Sequence, residues 1–227
     1  MPGRGKGRQN PILSWLRDPA HRHWRLLLYW PFYLAAYAAV GRLGGRIPPL
    51  CTRLPLDDGI PFVAAFIVPY LLWFPFWIGT LAYALFAEPR LFRRMMGYFM
   101  LTFTTAVFLF WLFPTSPGLR PDPVPGGGLF AALMRFTYWI DADTNACPSE
   151  HIVGLFAVLF AVWDSECLSR PRWKWTAALI AALIAASTVL VKQHALLDLA
   201  AAVPLSALGG LLCFVLPRRR DSAARGR

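Results

Sequence analysis

The sequence predicts an all-α polytopic membrane protein, a bundle of six transmembrane helices with a short interfacial helix in one outer loop. Of its 227 residues, 57% are hydrophobic and only 15% are charged, with a mean hydropathy of +0.46, against roughly a quarter charged in ordinary soluble domains. The apolar residues are also gathered into charge-free runs such as 59–87 and 95–119, long enough for the ~20 helical residues that cross a hydrocarbon core. A lone water-soluble globule is excluded.

Read in order, the runs predict spans over 24–41, 60–87, 95–113, 149–168, 174–193 and 196–216. The first is bounded by Arg25 and Arg42, whose long stems can snorkel outward, and it carries Trp24, Tyr29 and Trp30, residues of an interfacial aromatic belt. A cleaved signal peptide ending near Ala36-Tyr37-Ala38 is the competing reading, and Pro31 with its aromatic neighbours makes an unusual signal core. Between the third and fourth spans, the prolines of 114–123 forbid regular helix and Gly126-Gly127-Gly128 form a joint. Residues 129–140, LFAALMRFTYWI, then predict a helix too short to span, lying on the outer surface. Residues 1–23 and 217–227 read as basic tails flanking a membrane domain over 24–216.

A net charge of +11 invites a nucleic-acid reading, which needs the cations on one face of a soluble domain. Here they sit in short segments between apolar runs, and six spans place seventeen of the 23 on one side: six in the N-terminal tail, three at Arg90, Arg93 and Arg94, three at Arg170, Arg172 and Lys174, and five from Arg218 onward. The excess marks the cytoplasmic face and puts both termini there. The basicity is an orientation signal with a secondary affinity for anionic lipid, and no nucleic-acid partner is expected. Cys51, Cys147, Cys167 and Cys213 form no C-x-x-C pair and are expected as free thiols.

Two of the four histidines lie in the N-terminal tail, which leaves His151 and His194. The topology brings both to the outer level of the membrane. Asp198 follows His194 by four residues, one helical turn, where a carboxylate fixes the tautomer of an imidazole and frees its other nitrogen to attack or to carry a proton. His151 follows Pro148-Ser149-Glu150, the pattern of a helix N-terminus, whose orphan amides favour an anion. Arg120 and Lys192 add positive charge at the same level. Ionisable residues next to membrane spans are costly, so this gathering points to a phosphate site.

These residues resemble the type 2 phosphatidic acid phosphatases and their relatives, which include lipid phosphate phosphatases and inositol phosphorylceramide synthases. That family has six helices and the motifs K-x-x-x-x-x-x-R-P, P-S-G-H and S-R-x-x-x-x-x-H-x-x-x-D. This chain offers Arg120-Pro121, then Pro148-Ser149-Glu150-His151, then Ser187, His194 and Asp198 at the family's spacing, while Phe113, Glu150 and Thr188 replace the lysine, glycine and arginine. The Phe113-Pro114-Thr115 start is similar to the inositol phosphorylceramide synthase branch. The resemblance implies phosphoryl transfer from a lipid phosphate or diphosphate on the outer face, with membrane lipids as the surroundings and no metal or cofactor. His194 would form a phosphohistidine, Asp198 would orient it, and His151 would act as acid and base. Arg120, Ser149, Lys192 and Ser187 would bind the phosphate. Hydrolysis and transfer to a second alcohol stay open, as does a non-catalytic relative.

Overall fold

The computed structural model describes residues 11–44 and 48–219. It is mostly helical: α1 Pro11–Arg17, a 3-10 helix Pro19–Leu28, α2 Tyr29–Gly44, α3 Pro55–Asp58, α4 Ile67–Ala87, α5 Pro89–Leu112, α6 Gly128–Ile140, α7 Glu150–Asp164, α8 Pro171–Leu190 and α9 Leu196–Gly210, the last continuing into a π-helical turn, Leu211–Val215. A two-residue parallel pair, β1 Leu50–Cys51 with β2 Thr115–Ser116, fastens one loop to another.

Among the described residues, four helices are long and apolar enough to cross a membrane: Ala64–Ala87, Pro89–Leu112, Pro171–Leu190 and Leu196–Arg219. The six expected spans are thus four by this measure. Among the described residues α2 has 16 residues and α7 has 15, about 24 and 22 Å at 1.5 Å per residue, short of a hydrocarbon core of about 30 Å. α7, which runs between caps at Ser149 and Ser165, is enclosed. It packs against α4, α5, α8 and α9, and Ile152, Val153, Leu155, Ala157, Val158, Ala161 and Val162 are all buried. The surrounding helices keep large apolar side chains outside, among them Phe74 and Ile78 of α4, Phe108 and Trp111 of α5, Trp175 and Leu179 of α8, and Val203 and Leu208 of α9. An apolar exterior is what a helix facing lipid requires.

The core is built on α5, whose Tyr98, Phe92, Phe99, Phe103 and Phe110 are almost wholly buried. Tyr98 donates its hydroxyl to the Val153 carbonyl of α7 at 3.0 Å. Close approach comes from small residues, as is general in membrane bundles. A methyl at Gly154 would lie 2.8 Å from Trp73 Nε1, and one at Gly209 would lie 2.6 Å from Thr102 Cγ2.

Three expectations shift. Residues 11–28, read as mostly basic tail, form α1 and the 3-10 helix, pinned by the His23 ring against the Leu85 carbonyl at 2.9 Å; the remaining tail segments, 1–10 and 220–227, lie outside the described residues. The third predicted span begins at Pro89 rather than 95, so Arg90, Arg93 and Arg94 belong to the first turns of α5, where Arg94 meets Asp164 at 2.5 Å. The fifth ends at Leu190 rather than 193, and residues 191–195 form a turn. The short helix expected over 129–140 is α6. Its Ala131, Met134 and Thr137 face inward while Leu129, Phe136 and Trp139 stay exposed.

Candidate active site

α7 begins at a capped terminus. Ser149 is extended at φ −65°, ψ 114°, and its hydroxyl accepts from the Ile152 amide at 3.5 Å, the ordinary way a serine satisfies an orphan donor. His151, in the first turn, is wedged between the rings of Tyr70 and Trp73, with centroids 4.7 and 4.5 Å away, and Trp73 Nε1 donates to the His151 carbonyl at 2.9 Å.

His194 lies in no helix. It precedes α9 in the turn after Leu190, and Asp198 is in the first turn of α9. The expected one-turn pair on a shared helix face is therefore made differently. Asp198 Oδ2 caps α9 by accepting from the Ala195 amide at 2.9 Å and contacts His194 Nδ1 at 3.3 Å. The Ser149 amide donates to the Asp198 carbonyl at 3.0 Å, joining the two histidine-bearing segments through their backbones.

That junction brings the imidazoles together: His151 Nδ1 and His194 Nε2 are 3.1 Å apart. The chain of partners assigns the protons. With Nδ1–H of His194 given to Asp198, Nε2 keeps a lone pair, and His151 Nδ1–H donates to it. His151 Nε2 then holds a lone pair and has no hydrogen-bond partner.

The PAP2 superfamily matches residues 43–212, which contain this constellation. The chain belongs to the PAP2 superfamily. Its members are typically phosphatases or phosphotransferases. No curated protein and no solved structure matches it significantly.

Against the PAP2 motifs, the structure brings His151, His194, Asp198 and Ser149 together and directs the other expected residues elsewhere. Arg120 Nη1 donates to the carbonyls of Asp141 at 2.7 Å and Tyr138 at 3.4 Å, Nη2 donates to the Ala142 carbonyl at 3.0 Å and to Gln193 Oε1, and Nε is 3.3 Å from Asp143 Oδ1. Its guanidinium also stacks on the Tyr138 ring at 4.6 Å. Lys192, at φ 55°, donates Nζ to the carbonyls of Asp57 at 2.9 Å and Ile60 at 2.6 Å. Ser187 donates to the Ile184 carbonyl of its own helix at 2.6 Å. Lys192 and Ser187, expected at the phosphate, thus direct these donors to backbone carbonyls.

Several residues that sequence reasoning passed over build the surroundings. Gln193 donates to Tyr70 Oη and to Asp141 Oδ2, each at 3.2 Å, tying Arg120 to the ring beside His151. Burial raises the Asp141 carboxyl above its usual range, with Arg120 acting in the opposite direction. Burial and the nearby Asp198 charge push the Cys147 thiol up to about 11. Tyr33 of α2 donates to Glu150 Oε2, so the carboxylate at the motif's glycine position reaches across to α2. Gln193, a polar residue between Lys192 and His194 at the end of an apolar run, was the one signal available from sequence; the rest required the fold.

Proposed function

We propose that the protein is an integral membrane lipid phosphate phosphatase that works through a phosphohistidine on His194. The observation that carries this reading is the relay from Asp198 to His194 to His151, with contacts of 3.3 and 3.1 Å. Phosphorus arriving at His194 Nε2 takes the place of the His151 proton on that lone pair. The N–P bond forms as the P–O bond to the lipid breaks; His151, which enters this step as the imidazolium after taking a proton on Nε2, gives Nδ1–H to the leaving alkoxide and becomes the neutral imidazole. His151 then takes a proton from water, the water oxygen bonds phosphorus, and the N–P bond breaks. Proton transfer and nucleophile activation of this kind each lower the barrier by a few kcal/mol, roughly 10²–10⁴-fold for the acid–base part. The six-span topology, with both termini cytoplasmic and the histidines at the outer face, belongs to this proposal and rests on the segregation of Lys and Arg.

A second reading is favoured by the cations. Phe113 and Thr188 stand at two cationic positions of the family's motifs, and Arg120 and Lys192 each already donate to two or more backbone carbonyls. A dianionic monoester needs that charge more than a monoanionic phosphodiester does, so transfer of a headgroup phosphate between lipid alcohols fits the same relay.

One assay separates them. The purified protein is offered phosphatidic acid, a polyprenyl diphosphate and a phospholipid diester with a long-chain alcohol, beside His194→Ala and His151→Ala. Phosphate release lost in both variants supports hydrolysis, and a new labelled lipid without release supports transfer. Turnover that survives His194→Ala sinks the phosphohistidine.

A further inference from the structure

We propose that Asp57 and Lys192 are positioning residues that grip the nucleophile's turn at both ends and hold His194 Nε2 on its attack line; this rests on the reading of His194 as nucleophile. The turn from Leu190 to Leu196 closes on the end of α8 through the amides of Lys192, to Val189 at 3.1 Å, and of Gln193 and His194, to Thr188 at 3.0 and 3.2 Å; beyond these local bonds its position is set by partners in another loop. Lys192, two residues before His194, donates Nζ to the carbonyls of Asp57 and Ile60 at 2.9 and 2.6 Å. Two residues after His194, the Leu196 amide donates to Asp57 Oδ1 at 2.9 Å, while Asp57 Oδ2 accepts from the Leu54 amide at 2.7 Å. The Val63 amide adds a bond to the Leu190 carbonyl at 2.9 Å. The loop over 54–63 is thus a clasp whose jaws close on either side of the histidine.

Burial makes the clasp stiff. Asp57 is 1% exposed and Lys192 is 8% exposed, and bonds to charged groups out of water are stronger than their exposed equivalents. Lys192 also sits at φ 55°, a region that a lysine adopts at a cost and keeps only where its surroundings hold it. A turn that merely reversed the chain would favour glycine there. A lysine whose ammonium spans two carbonyls of another loop exchanges backbone ease for a fixed location of the residue two positions on. Misplacing a reacting group by about 1 Å costs on the order of 10²-fold in rate, which sets the expected effect.

The test compares Lys192→Met, Lys192→Gly, Lys192→Arg and Asp57→Ala in the full-length protein. Lys192→Met and Asp57→Ala are expected to lower kcat about 10–100-fold with KM nearly unchanged. Lys192→Gly suits the backbone and lacks the grip, so it is expected to stay folded and be equally slow; Lys192→Arg, which still reaches both carbonyls, is expected to recover most of the rate. Wild-type rate in Lys192→Gly, or failure of Lys192→Arg to recover, overturns the proposal. A second readout needs no turnover: the ring nitrogen resonances of 15N-histidine protein report the His194 to Asp198 bond. They are expected to shift in Lys192→Gly and to return in Lys192→Arg. Unchanged resonances overturn the clasp, whereas an inactive wild type with shifted resonances overturns the enzymatic reading and leaves the clasp standing.

Discussion

The two imidazoles are 3.1 Å apart and are held there by opposite means. His151 rides the first turn of α7, a helix enclosed on four sides, and its location follows from apolar packing spread over many contacts. His194 rides a turn held by discrete polar bonds: Val63 on Leu190, Tyr138 Oη on the Val191 carbonyl at 2.6 Å, Asp57 and Ile60 on Lys192, Arg120 on Gln193, and Asp57 on Leu196. Packing spreads the load, so no single contact decides where His151 sits, but each one contributes to stability. Discrete bonds localise it, so a change in the turn moves His194 before it unfolds the protein. Damage around His151 should therefore be read in stability and damage around His194 in rate.

The largest expected effect sits on the partner of His194, the proposed nucleophile. Asp198→Asn retains an oxygen able to cap Ala195 but reverses the preference for the His194 tautomer, and kcat should fall by roughly 10³–10⁴-fold with little change in unfolding midpoint. A fall below tenfold would mean that Asp198 serves the helix cap alone. On the packed side, Gly154→Ala places a methyl 2.8 Å from Trp73 Nε1 and 2.9 Å from its Cζ2. Overpacking of this kind costs about 1–3 kcal/mol, so thermal unfolding should come earlier while the rate of the folded fraction changes less than in the turn variants. An unchanged midpoint would show that α7 is not tightly packed there.

Tyr33→Phe removes the donor to Glu150 Oε2, and Glu150 Oε1 is already buried without a partner. Leaving a buried acceptor unmade costs about 1–3 kcal/mol, which equilibrium unfolding in denaturant would measure. Loss of activity without loss of stability would instead place α2 in the chemistry.

The end of the bundle opposite the histidines offers the smallest effect and a control. Glu88 accepts from Ser165 Oγ at 2.5 Å, Tyr83 Oη at 2.6 Å and the Glu166 amide at 2.9 Å. Burial works against its charge, but these donors outweigh it and hold the carboxyl below its usual range. A depressed carboxyl contributes stability that is present above its unfolded value, about 4.3, and is lost as pH falls through the folded one. Glu88→Gln should flatten the acid limb of the stability profile and leave kcat unaltered; a steep acid limb in the variant would assign that limb to another group.

Much of the bundle was legible because its signals are local. The spans over 60–87 and 196–216 needed only an unbroken apolar run, and α6 needed only a glycine joint followed by twelve mostly apolar residues. The boundaries at Pro89 and Leu190 were misplaced for a physical reason: arginines tolerated in a first helical turn look like a loop, and the apolar Val191 looks like helix although the backbone has already turned. Within the site, His151, His194 and Asp198 were found by scarcity and spacing. Asp57, Gln193, Tyr33 and Trp73 were not, since their partners lie 139, 73, 117 and 78 residues away in sequence.

By itself the sequence determined the helical membrane class, the family and which few residues carry titratable chemistry, because hydropathy, spacing and scarcity are properties of the chain. Only the tertiary structure decided that Arg120 and Lys192 spend their donors on carbonyls and that His194 leaves the helix. It also decided that the two rings meet directly. Which partner a donor takes depends on what long-range packing brings within about 3 Å, and no local pattern encodes that distance.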